Sequence, residues 1–483
     1  MRAATCALAA GLALAGCMNL APRYEQPVAP IPAAWPAGAQ AVEAPQPLPD
    51  WRAFFQDERL RALVRLALAN NRDLRVAALN IERAQALYGV TSAAQLPSIG
   101  ATGGATRART PAGMTTSGQS RVADSFTVNL GFTAYELDLF GRVRNLSDAA
   151  LQTFFATEDT RRSVQIGLVA AVAQAWLQLA GDQQRLQLAR ETLASQRQSY
   201  DLIRQAHALG AQSGVALAQS QTTVETARGQ VAAYEALVEQ DGNALALLAG
   251  ATPPPELLPA VAAVGGAQAQ PSVALLPAPP AGLPSSVLRQ RPDVLAAEHA
   301  LQAAHHDVGA ARAALYPRIS LTATAGLASP SLSSLFEAGS RAFSLGPSLS
   351  LPILDGGASR NAVRAAEVQR EIQLAQYEKT LQVAFREVAD ALAERGRLAE
   401  RLDAQRALVA ASARSFELAQ ALFKGGSGSY LEVLDAQRAL YAAQQALIGL
   451  QQSEQANRIT LYKVLGGGWQ EEEAAAAPSA TRG

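Results

Sequence analysis

Two long blocks of the sequence contain no proline, and they restrict the possible folds more than any other feature. The chain has 483 residues and 25 prolines, yet none lies between Pro111 and Pro253 or between Pro352 and Pro478. An interior proline breaks an α-helix, so these blocks favour uninterrupted helices. At about 1.5 Å per residue, a helix of about 65 residues would reach on the order of 100 Å, which no globular core requires.

Glycine-containing breaks divide each block into a long helix and a shorter returning helix. They hold Gly210 and Gly214 in the first block, and Gly425, Gly426 and Gly428 in the second. A helical pattern of about 35 residues follows each break, so each block is predicted to form an antiparallel hairpin. The long helices are predicted at Arg142–Ala208 and Ala358–Phe423, and two further helices at Leu60–Thr91 and Val287–Leu315 precede the first strand of each repeat.

The same series of motifs occurs twice, about 215 to 220 residues apart. "LGFTAYELDLFG" matches "LGPSLSLPILDG", and "LGAQSGVALAQSQ" matches "GGSGSYLEVLDAQ". This spacing is too long for a solenoid repeat, so it indicates one duplicated structural unit. The predicted organisation is a first repeat at 57–252, a Pro-rich linker at 253–285, a second repeat at 286–468 and a disordered tail at 469–483.

Each repeat also carries two stretches in which apolar and polar residues alternate, as in β-strands. They are Ser98–Thr106, Phe126–Tyr135, Ile319–Leu327 and Phe343–Leu351. Each is about 9 to 11 residues long, the length of a tilted strand that crosses a membrane. The polar face carries small, uncharged residues, which suits a water-filled lumen. A soluble sheet with one wet face is the alternative interpretation.

The alternation assigns the side chains of these strands to two faces. One face holds Phe126, Val128, Leu130, Phe132, Ala134, Ile319, Leu321, Ala323 and Ala325. The other holds Thr127, Asn129, Gly131, Thr133, Tyr135, Ser320, Thr322, Thr324 and Gly326. Four strands cannot close a barrel, for which about eight is the practical minimum. A membrane-spanning sheet would therefore need two copies of the chain or, with an aqueous channel, three.

The N-terminus has the pattern of a targeting segment. Arg2 precedes an apolar run that ends in Leu14-Ala15-Gly16-Cys17 and is too short to span a membrane. This resembles a lipobox, with a signal peptide at 1–16, an N-acyl diacylglycerol on Cys17 and a Pro-rich lipidated segment at 17–56. An ordinary signal peptide with a chance cysteine is the alternative. Met18 and Asn19 follow Cys17, and neither is the Asp that favours inner-membrane retention in many bacteria, so the outer membrane is the expected destination.

The cysteine and charge counts exclude several other classes of protein. The two cysteines are Cys6 and Cys17, so a lipidated mature chain would have no thiol for a disulfide or metal site. No transmembrane helix is expected after Cys17. The formal net charge is zero, which gives no support for a nucleic-acid partner. The four histidines (His207, His299, His305 and His306) show no metal-ligand spacing, and no cofactor-binding or catalytic motif is present.

An ordered set of motifs resembles one family. These motifs are "YELDLFGRVR", "RPDVLAAE", "LYPRISL", "PILDGGASR", "YLEVLDAQRALYAAQQ" and "LYKVLGGGW". Together they resemble the TolC family of outer-membrane efflux channels of Gram-negative bacteria, in the lipoprotein branch that serves RND-type drug pumps. The resemblance implies a homotrimer with a twelve-stranded membrane β-barrel and a periplasmic tunnel of long helical hairpins. It also implies outer-membrane lipid, a periplasmic membrane-fusion adaptor and an inner-membrane RND-type pump as partners.

The start of the last helix is the predicted site. Ser429 and Glu432 have the spacing of a capping box, and Leu431, Asp435 and Arg438 recur on one side at i, i+4 and i+7. A first-turn acid paired with Arg438 is the plain interpretation. The resemblance implies instead a periplasmic gate, with Leu431 as an apolar ring and Asp435 as an acidic ring. Glu432 could form a second acidic ring or serve only as a cap.

The glycines of the two breaks are the second set of predicted site residues. Gly210, Gly214, Gly425, Gly426 and Gly428 would allow positive φ where the chain reverses. Plain loop flexibility is the alternative, and the resemblance implies that these turns contact the adaptor. The favoured function is a passive efflux duct; the alternatives are a duct for type I secretion or metal efflux, and a non-conducting periplasmic coiled-coil scaffold.

Overall fold

The computed structural model describes residues 18–35, 48–116, 118–260 and 285–467. The predicted signal peptide at 1–16, the acylation site Cys17, the tail at 469–483 and most of the linker lie outside the described residues. Within them the chain forms two compact units. One unit contains 18–28, 80–158 and 296–378; the other contains the described residues of 29–79, 159–295 and 379–467.

Long helices account for most of the described chain. They are α1 (Glu58–Asn70), α2 (Arg72–Ala93), α3 (Arg142–Ala208), α4 (Gly214–Ala249), α5 (Pro292–Ala313), α6 (Ala358–Lys424) and α7 (Tyr430–Val464). The predicted hairpins are confirmed, because α3 and α6 each have 67 residues and are followed by returning helices of 36 and 35 residues. Shorter turns lie at Trp51–Phe54, Ala112–Met114, Pro255–Leu257 and Ser285–Gln290.

Two predicted helix boundaries were wrong. The single helix expected at Leu60–Thr91 is two helices, because Asn71 is extended at ψ 133° and ends α1. The Asn71 side chain then accepts a hydrogen bond from the Leu74 amide at 2.9 Å and so caps α2. The helix expected from Val287 begins only at Pro292, since proline is favoured in the first helical turn.

Four antiparallel strands form one sheet in the order β1-β2-β3-β4. They are β1 (Gly100–Thr110), β2 (Arg121–Glu136), β3 (Arg318–Ser329) and β4 (Arg341–Ser350). The register places Phe343, Ala325 and Leu130 on one face. It places Ser344 and Thr324 on the other, where their hydroxyls are hydrogen-bonded at 2.8 Å. The predicted division into an apolar and a polar face is therefore confirmed for most of the sheet.

A β-bulge places Tyr135 on the apolar face of the sheet, so its predicted position on the polar face was wrong. The register shifts between Phe132 and Tyr135, and Ala134 has a φ of 56°. The extra residue moves Tyr135 to the apolar face, where it lies opposite Leu321 and contacts the Phe132 ring edge-on at 6.1 Å. Strict alternation could not predict this, since a bulge changes the period of two by one residue.

An aromatic core in the second unit fixes the proline-rich segments. The Trp176 side chain is fully buried, and its indole N–H donates to the Leu257 carbonyl at 3.0 Å. Tyr462 stacks on Phe54 at 4.1 Å and donates to the Pro49 carbonyl at 2.9 Å. By length and composition α3 could also cross a membrane, but 61% of its most apolar 18-residue segment is buried in the structure. We therefore regard it as a core helix.

Candidate functional site

The two hairpin tips have the same local geometry. Ser213 accepts a hydrogen bond from the Ala216 amide at 3.1 Å and caps α4. Ser429 accepts one from the Glu432 amide at 3.3 Å and caps α7. The Glu432 carboxylate in turn accepts a hydrogen bond from the Ser429 amide, which completes the predicted capping box. Glu432 thus acts as a cap, and its second acidic ring stays a prediction.

The glycines at the tips serve different purposes. Gly210 and Gly426 have φ values of 77° and 78°, so the predicted need for positive φ is confirmed at these two. It was wrong at the other three, which do not have positive φ. A Cβ atom at Gly428 would lie 3.0 Å from the Leu422 Cβ, so this position lacks space instead. Gly214 and Gly425 have room for a methyl group.

Alanine substitution should separate a glycine that needs positive φ from one that has room for a methyl group. We expect Gly426→Ala to lower the free energy of unfolding by about 1–2 kcal/mol per chain, because a Cβ is strained at positive φ. Gly425→Ala is the matched control and should be nearly neutral, since its Cβ would meet no atom closer than 3.4 Å. Urea unfolding curves of the two variants test the difference. Equal destabilisation would contradict the assigned role of Gly426.

An apolar cluster joins the two tips. Its buried members are Ile203, Ala216, Tyr430, Val433 and Leu434, and Phe416 and Phe423 pack against it. The Phe423 and Tyr430 rings lie 5.5 Å apart. Burial of these side chains fixes the rotation of α7 about its axis. The opposite side of its first two turns is consequently directed away from the cluster.

The predicted gate residues share that outward side of α7. Leu431 is 49% exposed, and the side chains of Asp435 and Arg438 are 66% and 59% exposed. An Asp435 Oδ1 atom lies 3.6 Å from an Arg438 Nη1 atom. The plain interpretation therefore describes this contact correctly, but an exposed ion pair contributes only about 0–1 kcal/mol. Stability alone does not account for an apolar and an acidic side chain placed together in water.

A buried polar network lies farther along the same helices. Asp182 is 2% exposed, accepts a hydrogen bond from Gln178 at 2.7 Å and pairs with Arg185 at 2.7 Å. Arg185 also donates to Gln452 on α7 at 3.1 Å. The network borders a cleft of about 800 Å³ between α3, α6 and α7. Sequence reasoning missed this network; an acid within the apolar part of α3 was the available signal.

The network makes stability depend on pH through Asp241 of α4. Burial, together with a hydrogen bond to Asp182 and its charge, raises the pKa of Asp241 to about 6. The pKa of an Asp side chain in an unfolded chain is roughly 4, so folding disfavours the ionised form of Asp241. The contribution of Asp241 to the free energy of unfolding should therefore be most favourable below about pH 4 to 5. It should fall as the pH rises through about 6.

Asp241→Asn should therefore stabilise the protein at pH 7.5, by on the order of 1 kcal/mol per chain after solvent screening. The free energy of unfolding should also change less between pH 5 and pH 7.5 in this variant than in the unmodified protein, because the asparagine side chain does not titrate. Urea midpoints at the two pH values measure both effects. Asp201→Asn is the control, because this carboxylate is 53% exposed and in a surface pair with Arg204. A pH dependence unchanged by Asp241→Asn would contradict the account.

The sheet exposes a broad apolar face. Phe343 is 88% exposed, Leu345 67% and Leu130 60%. Exposed apolar patches of this kind indicate a contact with another protein or a membrane. Strands β1 and β4 have one unpaired edge each within the described residues. The sheet therefore has both a face and two edges that a single chain leaves without partners.

The histidines take part in ordinary contacts. His299 contacts Gln152 at 2.7 Å, and the His305 ring packs edge-on against Tyr24 at 5.3 Å. In the described part of the chain no group of three or more His, Cys, Asp or Glu side chains could hold a metal ion. The prediction that no cofactor is bound stays a prediction.

Comparisons with known proteins agree with one another. A family model described as outer membrane efflux protein matches residues 63–251 and 283–467. The chain is 41% identical to the toluene efflux pump outer membrane protein TtgC of Pseudomonas putida over 464 residues, 95% of this chain and 94% of that protein. These matches extend over both repeats.

Solved structures are similar over nearly the same span. A crystal structure of a membrane protein from Pseudomonas aeruginosa has a TM-score of 0.86 and 40% identity, covering 94% of this chain and 99% of that chain. The open state of the Neisseria gonorrhoeae MtrE outer membrane channel has a TM-score of 0.81 and 35% identity, covering 93% and 98%. The predicted fold class, long helical hairpins with a membrane β part, is confirmed by these similarities.

Proposed function

The chain belongs to the outer membrane efflux protein family of TolC-like channels, and we propose that three copies of it form the exit duct of a tripartite efflux pump. Four strands from each copy would complete a twelve-stranded barrel in the outer membrane. The helical hairpins would form the tunnel that receives the cargo. The duct itself is passive, and the energy comes from a partner pump.

The exposed apolar face of the sheet is the observation that carries this proposal. Its side chains would face lipid, while the small hydroxyl side chains on the other face would line a wet lumen. The open edges of β1 and β4 would pair with those of neighbouring copies, because unpaired backbone groups are not tolerated in lipid. A non-conducting scaffold would explain neither the face nor the edges.

The lipid anchor on Cys17 is part of the proposal. Cys17 lies outside the described residues, but the residues that follow it are held in place. The Met18 amide donates to the Leu139 carbonyl at 3.2 Å, and Asn19 accepts a hydrogen bond from Asn145 at 2.8 Å. Leu139 lies just after the end of β2. An acyl group on the preceding residue would thus start near the end of a membrane strand.

The gate is proposed at the outward side of α7. In a trimer, Leu431 would contribute an apolar ring and Asp435 an acidic ring, one residue from each copy. Arg438 would hold each carboxylate by the 3.6 Å contact until the helices separate. Three carboxylates around a narrow axis repel one another and attract cations, so the ring would favour cations and open readily.

The partners are proposed from the names of relatives and from the hairpin tips. TtgC is described as the outer membrane protein of a toluene efflux pump, which supports a pump partner for this chain. An inner-membrane pump of the RND type is the partner that the motif resemblance implies. A periplasmic membrane-fusion adaptor would contact the turns at Gly210, Gly214, Gly425, Gly426 and Gly428. The cargo would be drugs, solvents or other small molecules, selected by the pump and not by the duct.

Site-specific cross-linking tests the proposed assembly. A lipidated chain has no other thiol, so Ser427→Cys, at the exposed tip, would carry the single reactive cysteine. We expect it to cross-link to the periplasmic adaptor in cells that express the pump. Gln240→Cys is the control, since it is exposed on α4 about 40 Å from the tip along the helix. Cross-links to the adaptor from Gln240 alone, or from neither position, would contradict the proposed tip contact.

A further inference from the structure

Three arginines lie on the apolar face of the sheet at one of its ends. The β1–β2 register places Ala105 opposite Phe126 and Arg107 opposite Asp124. Arg109 follows Arg107 on the same face, opposite Val122. Going outward along β1, the face therefore changes from apolar side chains to arginines within two residues.

Arg341 marks the corresponding change on β4. It is the first residue of that strand and lies opposite Leu327, next to the exposed Phe343 on the same face. The β1–β2 and β3–β4 connections are both at this end of the sheet. By the strand pairing, Leu327 is opposite Val128 and Val128 is opposite Gly103. Arg341 is therefore displaced by four residues from the level of Arg107, a stagger that tilted barrel strands produce. The three arginines thus form a staggered row along the border of the apolar face.

The charges in this row are only partly neutralised. Arg107 lies 3.3 Å from Asp124, and both side chains are exposed. Arg109 and Arg341 are exposed and make no ion pair with the residues that the structure describes. The nearby acid on the β3–β4 connection is Glu337. A positive excess therefore remains at the border of the apolar face.

Membrane geometry gives this border a chemical meaning. Side chains directly beyond a lipid-facing apolar band lie at the level of the headgroups. A guanidinium group binds phosphate through two parallel hydrogen bonds, which makes arginine suited to phosphorylated lipids. In a closed ring β4 of one copy adjoins β1 of the next, so the staggered row would continue around the border of the apolar band.

We propose that Arg107, Arg109 and Arg341 bind the phosphate groups of the phosphorylated lipid in the outer leaflet of the outer membrane. The proposal rests on the proposed function, because it requires the sheet to span the membrane in a trimer. It adds a lipid-binding site and the residues that form it. The matched control is Arg121, which has the same charge at the same end of β2 but lies on the polar face opposite Thr110.

Lipid binding by the purified trimer tests this site. Diphosphoryl lipid A and its dephosphorylated form are titrated against the detergent-solubilised protein, and binding is followed by native mass spectrometry. The triple variant Arg107→Gln/Arg109→Gln/Arg341→Gln should bind diphosphoryl lipid A at least about tenfold more weakly, since each arginine at a charged lipid surface contributes roughly fivefold. Arg121→Gln should bind like the unmodified protein. Dephosphorylated lipid A should bind the unmodified protein as weakly as the triple variant binds the phosphorylated form.

Tight binding by the triple variant, or an equal loss in Arg121→Gln, would overturn the proposal. If the triple variant does not assemble, the single variants Arg109→Gln and Arg341→Gln decide the question, with about a fivefold loss expected for each. Channel conductance of the same preparations separates this proposal from the proposed function. If the arginine variants form conducting trimers and bind diphosphoryl lipid A as tightly as the unmodified protein does, only the lipid site is refuted. If the unmodified protein never conducts, the proposed function is refuted.

Discussion

Replacing Leu345 by arginine is expected to abolish assembly in the outer membrane. Leu345 is 67% exposed on the apolar face of β4 and lies opposite Ala323 in the middle of the sheet. An arginine at the midplane of a membrane strand costs about 2–4 kcal/mol, so three copies would cost about 6–12 kcal/mol per trimer. The heat-resistant trimer should disappear from outer-membrane fractions on unheated gels.

The neighbouring residue provides the control. Ser344 lies on the same strand but on the polar face, where it is hydrogen-bonded to Thr324 at 2.8 Å. We expect Ser344→Arg to assemble, because a lumen-facing charge remains in water, and to change ion selectivity instead. If Ser344→Arg prevented assembly and Leu345→Arg did not, the assignment of the two faces would be reversed. If both assembled normally, the sheet would not be in lipid.

Removal of the Asp435 carboxylate is expected to produce a leakier channel. Asp435→Ala deletes the proposed acidic ring and the 3.6 Å contact with Arg438. The concentration of divalent cation needed for half-maximal block should rise by about tenfold or more. Each carboxylate about 5 Å from a divalent cation contributes on the order of 1–2 kcal/mol even in water. The single-channel conductance without divalent ions should rise as well, and both values come from the same bilayer recordings.

The duplicated sequence supplies a matched control for this variant. Gln219 of α4 is the counterpart of Asp435 in the first repeat, and Ser213 caps its helix as Ser429 caps α7. Gln219→Ala should leave conductance and divalent block unchanged. The stability of Asp435→Ala should also be nearly unchanged, because its exposed ion pair contributes little. Unaltered single-channel behaviour in Asp435→Ala would remove Asp435 from the gate.

Local sequence patterns were sufficient for much of this fold. The absence of proline predicted α3 and α6, and the matched glycines predicted where the hairpins turn. Three glycine pairs related by the repeat have positive φ in the structure, namely Gly141 and Gly356, Gly210 and Gly426, and Gly250 and Gly466. A backbone requirement of this kind can be read from sequence because it acts on a single residue.

Features that depend on contacts distant in sequence could not be predicted in the same way. The bulge at Ala134 is stabilised where its amide donates to Thr322 on the neighbouring strand at 3.1 Å. The break at Asn71 depends on a hydrogen bond from its side chain to the Leu248 carbonyl at 2.9 Å. The raised pKa of Asp241 depends on its burial and on Asp182, which lies on another helix. The arginine row required the strand register, because sequence alone does not align β1 with β4.

The exposed side of α7 carries the predicted gate residues. The structure places Leu431, Asp435 and Arg438 on that side, as the helical spacing predicted. Their proposed convergence on an axis needs two further copies, so it depends on the trimer and not on the chain alone. The proposed gate and the proposed adaptor contacts therefore depend on the proposed trimer.

Single-channel recording of the purified full-length protein in planar bilayers measures conduction by the proposed trimer itself. We expect a heat-modifiable trimer whose insertion produces discrete, cation-preferring conductance steps, with a larger conductance in Asp435→Ala. A mixture of monomers and dimers in mild detergent that never conducts would contradict the proposed function.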